Sequence, residues 1–260
     1  MYRSKLILGA ALVAGVAATQ IASAETPTAT PAQSGGVSVS PQILETTART
    51  GASGSARISN TTDKKLKMTV RARPWRQSKS GAVAADRRHT LSTVTVSSTS
   101  FTLAPGASRT VSVRLRRVPA AKSVYGALDV VGKPTKKRQG INVAYRLVSS
   151  LRFNPTAGAR KLRLKAGKAF SAGSGSGRAV KLAVTNRGNT VDPVTGTVNV
   201  TGSGGGRSGG IAPVRIIPGK RVNLRLVSLS GMRRGSYKAS VTLSQGGRNV
   251  VSATRSFKIK

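Results

Sequence analysis

From Val37 onward the chain is written in short stretches where apolar and polar residues alternate. Alternation with a period of two places the apolar side chains on one face of a pleated strand. Leu66, Met68, Val70 and Ala72 share one face, and Lys65, Lys67, Thr69, Arg71 and Arg73 share the other. Val111, Val113 and Leu115 stand in the same way against Ser112, Arg114 and Arg116. Turn-forming clusters break these stretches at Gly51 to Gly54, Thr61 to Lys64, Pro105–Gly106 and Gly132 to Gly140. Such regular spacing predicts a β-sandwich. No stretch after residue 24 carries an apolar stripe at helical spacing, which argues against a parallel α/β fold.

The pattern divides the chain. Asn154 to Gly158, NPTAG, is a Pro- and Gly-punctuated break, after which alternation resumes at Leu162 and Leu164 and continues through Val180, Leu182, Val184, then Val222, Leu224, Leu226, and finally Phe257 and Ile259. About seven strands fall in each half, the count of an immunoglobulin-like sandwich. The expected architecture is all-β: one immunoglobulin-like sandwich over residues 37–155 and a second over 156–260. Residues 1–24 fall outside that pattern. Arg3 and Lys5 precede an apolar run from Leu6 to Ala18 that ends on Ala22, Ser23 and Ala24, the order of a cleaved secretory signal. The run is short of the roughly 20 residues needed to cross a bilayer. Residues 25–36, ETPTATPAQSGG, have almost nothing apolar to bury and read as a flexible leader.

Charge changes the picture next. The chain has 44 Lys and Arg against six acids and one His, a formal net charge of +38. A surface of this kind attracts polyanions. Export makes the first anions it meets envelope polymers and acidic partner proteins. Nucleic acid is demoted by that location and by an aromatic content of 3%, which leaves few stacking platforms. Lys136, Lys137 and Arg138, in the Gly132 to Gly140 loop, are the candidate polyanion-binding cluster. The expected location is secreted, periplasmic or at the cell envelope.

Catalytic parts are scarce. The single His89 sits beside Asp86, Arg87 and Arg88 in a loop pattern, as solvated histidines do. Glu25, Glu45, Asp63, Asp86, Asp129 and Asp192 show no carboxylate pair and no metal-ligand spacing. Cysteine is absent, which removes thiolate ligands and cysteine nucleophiles. Gly202 to Gly210 lacks the Lys-Ser or Lys-Thr and the helix of a phosphate loop and reads as a floppy hairpin loop. Trp75, after Pro74, is expected to pack in the sandwich core. A binding protein with no metal, cofactor or small-molecule substrate is the expectation.

Five segments in order, VSVSPQI, ARISNTT, VRARPW, FTLAPGASRTVSVRL and INVAYRLVSSLRFNP, resemble the first domain of the periplasmic pilus-assembly chaperones over about residues 37 to 155. The resemblance implies two immunoglobulin-like domains and a binding mode in which the last strand of the first domain is lent to an incomplete fibre subunit. It places the lent apolar residues at Ile141, Val143, Tyr145 and Leu147; the alternative is that these four face their own core. The family also anchors the subunit's terminal carboxylate with an Arg and a Lys, whose positions fall here on Ile43 and Ser150. Arg49, Arg146 and Arg152 are nearby cations, but none stands where the motif requires. The expected function is an extracytoplasmic chaperone-like protein that stabilises or assembles envelope or fibre subunits by strand donation. The alternative is a basic structural or adhesive envelope module holding anionic polymers.

Overall fold

The structure, a computed structural model, describes residues 35–136, 142–173 and 177–260. The expected export signal, nearly all of the leader, and Lys137, Arg138 and Ile141 lie outside the described residues. Ten strands make the first sandwich: β1 (Val37–Ser40), β2 (Ile43–Thr47), β3 (Ser53–Asn60), β4 (Leu66–Gln77), β5 (Val83–Ala85), β6 (Val94–Val96), β7 (Ser100–Leu103), β8 (Ser108–Leu115), β9 (Val124–Pro134) and β10 (Tyr145–Asn154). Seven more make the second: β11 (Leu164–Ala172), β12 (Ala179–Asn186), β13 (Pro193–Gly202), β14 (Gly205–Arg215), β15 (Arg221–Ser228), β16 (Gly235–Gln245) and β17 (Arg248–Ile259). In the first, a sheet ordered β1-β3-β8-β6 faces one ordered β2-β10-β9-β4-β5, with β7 also on β4. In the second, β11-β12-β15 faces β14-β13-β16-β17. This is an all-β fold of two immunoglobulin-like domains.

Alternation decides which face each strand buries. Leu66, Met68 and Val70 of β4, Val111, Val113 and Leu115 of β8, and Leu128 and Val130 of β9 are buried together, while Lys67, Arg71 and Arg114 stay outside. Leu182, Val184, Val198, Leu224 and Leu243 form the separate core of the second sandwich. Each core removes its own apolar surface from water, the dominant favourable term in folding.

Both sandwiches are closed by the same polar lock. Asn60, fully buried at the end of β3, donates through Nδ2 to the carbonyls of Lys64 (2.8 Å), Leu103 (3.3 Å) and Ala104 (3.0 Å). Its Oδ1 accepts from the Thr62 amide (3.1 Å) and hydroxyl (2.7 Å). Its backbone pairs with the Pro105–Gly106 turn, Asn60 N donating to Ala107 O (2.9 Å) and Gly106 N to Asn60 O (2.8 Å). Asn186, at the end of β12, repeats the device. Nδ2 donates to Thr190 O and Ile216 O (both 2.7 Å), Oδ1 accepts from Gly188 N (2.9 Å), and Gly219 N donates to Asn186 O (2.9 Å). Gly106 at φ 72° and Gly219 at φ 78° supply the left-handed corner of each Pro-Gly turn.

The glycine-rich stretch differs from its expectation. Gly205–Arg215 is strand β14, paired along β13 from Gly202↔Gly205 to Pro193↔Arg215, and only Ser203 and Gly204 turn. The reason lies in β16. The buried Tyr237 ring stacks on Phe257 at 5.8 Å and its hydroxyl donates to Arg233 O (2.8 Å). A Cβ on Gly202 or Gly204 would run into that tyrosine. Gly202 and Gly204, at the tip of the hairpin, serve close approach of backbone to ring, while Gly205 and Gly210 have open space where a Cβ would stand.

One buried side chain breaks the pattern. Gln245 is fully buried at the end of β16, and neither its Nε2 nor its Oε1 has a hydrogen-bond partner. Burying an amide unpaired costs about 1–3 kcal/mol. Gln245→Met, of similar length and apolar, is expected to raise stability by about 1–2 kcal/mol in urea unfolding; a loss of stability would show that the amide is satisfied in solution.

Hydrogen bonds join the sandwiches. Gln77 donates to Arg215 O (2.7 Å) and accepts from Ile217 N (2.9 Å), and Asn223 N donates to Lys79 O (2.7 Å). The Tyr125 hydroxyl is shared between Asn189 O and Asn154 Oδ1, both at 3.1 Å. Burial first, and then the Asp192 carboxylate, push this phenol up to about 12, so it stays a donor at any physiological pH. The junction frames a cleft over the outer face of the larger first-domain sheet.

Candidate functional site: an open strand edge beside an arginine-walled cleft

Strand β10 has a partner along only part of one side. On one edge it pairs antiparallel with β9 from Tyr145↔Gly132 to Phe153↔Val124. On the other it pairs parallel with β2, from Ser150↔Ile43 to Asn154↔Thr47. Among the described residues no strand forms a ladder with Tyr145 to Ser149 on that second edge, where β1 packs near β10 but pairs with β3 instead. The Ser150 amide donates across it to Gln42 O (2.7 Å). Backbone direction repeats every second residue, so the amides of Val148 and Arg146 point to the same, unfilled edge.

Side chains along β10 follow the same period. Leu151 and Phe153 are buried, and Ser149 is buried with its hydroxyl donating to Pro41 O (2.9 Å). Leu147 is half-buried, Tyr145 is half-buried against the first core, and Val143 is 48% exposed. The interior-facing row thus emerges from its own sandwich toward Val143. Ile141, the first residue of the expected row, lies outside the described residues. Lys136 is exposed at the end of β9; Lys137 and Arg138 lie outside the described residues.

The opposite row, Arg146, Val148, Ser150 and Arg152, faces the cleft. Ile43 and Ser150, the positions matching the carboxylate anchors, are register partners across β2 and β10 and line one 360 Å³ hollow. The two positions that the resemblance singled out thus lie side by side, one apolar and one a hydroxyl side chain. None of the three neighbouring cations fills the role. Arg152 reaches Glu45 at 3.3 Å, and Arg146 is engaged with Asp129. Arg49 is exposed beyond the end of β2.

Trp75 is corrected by the structure. It belongs to neither core and lines the cleft instead, because its place in β4 shares the outer parity of Arg73. With it stand Ile43, Val83 and Val148, exposed by 45, 44 and 43%. Several apolar side chains gathered in one concavity, beside a strand edge that is paired over only half its length, make a contact surface.

Buried beside Arg146 of the cleft is Asp129, which the sequence presented only as an isolated acid. Its carboxylate is 2% exposed and accepts from Arg73 Nε (2.7 Å) and from Arg146 Nε (2.8 Å) and Nη2 (2.6 Å). Arg73 Nη1 donates onward to Arg87 O (2.7 Å) and His89 O (3.3 Å), tying the loop after β5 to the cleft floor. In that loop Asp86 accepts from His89 Nδ1 (2.7 Å) and from Arg88 N (3.0 Å). The His89 bond, then the Arg88 amide, holds the Asp86 carboxyl below its ordinary value. A signal for Asp129 did exist: it is the only charge in the apolar run VYGALDVVG.

No family model matches the chain, and no curated protein matches it. Solved structures do. A chain of the chaperone–tip adhesin complex of CFA/I fimbriae biogenesis superposes with a TM-score of 0.52 at 14% identity, over 84% of this chain and 99% of that one. The class 5 fimbriae chaperone CfaA gives 0.48 at 13% identity over 85% and 98%, and the E. coli chaperone DraB gives 0.44 at 13% over 87% and 98%. At such identity the likeness is one of fold: the chain has a divergent form of the pilus-assembly chaperone fold.

Proposed function

We propose that the chain is an extracytoplasmic chaperone-like protein that binds a protein subunit by strand addition at β10. In this reading residues 1–24 are the cleaved export signal, 25–36 the leader, and 37–155 and 156–260 the two sandwich domains. Among the described residues no helix is long and apolar enough to cross a membrane. The observation that carries the reading is the unfilled edge at Tyr145 to Ser149, where backbone donors stand beside an emerging apolar row. An open strand edge is a template for another chain, and main-chain hydrogen bonds supply its affinity. The anchor positions depart from the family, with Ile43 and Ser150 in place of an Arg and a Lys. Here the apolar surface of Ile43, Val83, Val148 and Trp75 does the holding in their stead.

Amide hydrogen exchange tests the reading with a synthetic strand peptide of alternating Val and Thr as the probe. In the free protein the Arg146 and Val148 amides exchange fast and those of Leu147 and Ser149, directed at β9, exchange slowly. On adding the peptide, Arg146 and Val148 are expected to slow by roughly tenfold or more, as edge amides do on entering a ladder. Protection confined to the second sandwich would contradict strand addition at β10.

A further inference from the structure

The cleft face beside the open edge is charged in one sense. Arg76, Arg87, Arg88 and Arg146 line a 940 Å³ concavity together with Trp75 and Val148. Its acids are already spent. Asp129 is buried between Arg73 and Arg146, and Asp86 is turned onto His89 and the Arg88 amide. No ion pair engages Arg76, Arg87 or Arg88 among the described residues. This wall is also built rather than incidental. Asp129 orients Arg146 on β10 and, through Arg73, grips the carbonyls of Arg87 and His89, so one buried carboxylate fixes the arginine loop relative to the open edge.

A strand lying along Tyr145 to Ser149 would direct every second side chain to the cleft face, alongside Arg146 and Val148. We propose that this arginine wall selects the incoming strand by charge, taking a partner whose cleft-facing positions carry Asp or Glu. The inference rests on strand addition at β10 and names the chemistry of the polypeptide bound there. Guanidinium groups held in place pair carboxylates through directed hydrogen bonds, and like charge at the same positions is repelled.

Three strand peptides test it against the full chain by fluorescence polarisation: Val alternating with Thr, with Glu, or with Lys. The Glu peptide is expected to bind roughly tenfold more tightly than the Thr peptide at about 50 mM salt, and the Lys peptide more weakly than either. In Arg87→Glu/Arg88→Glu, both residues exposed and outside any core, the Glu advantage disappears while Thr-peptide affinity stays unchanged. A Glu advantage that survives this double change comes from the overall charge of the chain, and the wall is then not the selector. Binding of the Thr peptide with no Glu preference overturns the charge selection and leaves strand addition standing. Binding of none of the three overturns both. Dextran sulfate, sensitive to the same double change and displacing the Glu peptide no better than the Lys peptide, would assign the wall to a polysaccharide and overturn the peptide reading.

Discussion

Asn60→Ala is expected to destabilise the first sandwich by roughly 3–5 kcal/mol, enough to exhaust much of a domain's stability. The substitution removes the donor from three carbonyls, those of Lys64, Leu103 and Ala104, and the acceptor from Thr62. Buried polar groups left without partners each cost about 1–3 kcal/mol, far above the net worth of a bond that water can replace. Asn60→Asp keeps the acceptor for Thr62 and loses the donor, so it recovers only part of the loss. Asn186→Ala is expected to do the same to the second sandwich through Thr190 and Ile216. Urea unfolding followed by Trp75 fluorescence measures the first, and amide hydrogen exchange along the β12–β15 ladder measures the second. A change below about 1 kcal/mol for Asn60→Ala would mean that the turn, not the side chain, closes the sandwich.

Much of this fold was legible because the period-two pattern is a local property. Leu66, Met68 and Val70, or Val111, Val113 and Leu115, announce their buried face within a few residues. The paired locks were legible only in halves: ARISNTT and the Pro-Gly turn stand far apart in the chain, and the asparagine that joins them acts across that separation. Gly202 to Gly210 misled because composition does not show that the Tyr237 ring crosses the hairpin. Trp75 is a different case: the alternation that puts Arg73 outside puts Trp75 outside too, against the general tendency of a large aromatic to pack in a core. Ile43 and Ser150, far apart in the chain, are register partners across β2 and β10. The buried ion cluster nearby was hidden, because Asp129, Arg73 and Arg146 come from three strands brought together only by sheet order.

The second large effect is on binding, and it isolates the edge from the fold. In Val148→Pro the lost amide is one that points away from β9, so no hydrogen bond of the existing ladder is removed. Proline is tolerated on such an edge, and the residue before it is already extended, as proline requires. Stability is therefore expected to stay within about 1 kcal/mol of the parent. An added strand, however, meets a missing donor and a ring where it must lie flat. Affinity for the Val/Thr peptide is expected to fall roughly 100-fold, or about 2.7 kcal/mol, while Val148→Ile, which keeps both the amide and an apolar β-branched side chain, binds like the parent. Peptide affinity of Val148→Pro against Val148→Ile, each shown folded by urea unfolding, is the most direct measurement of strand addition at β10: loss in the first with retention in the second is the predicted result, and equal affinity in the two would contradict it.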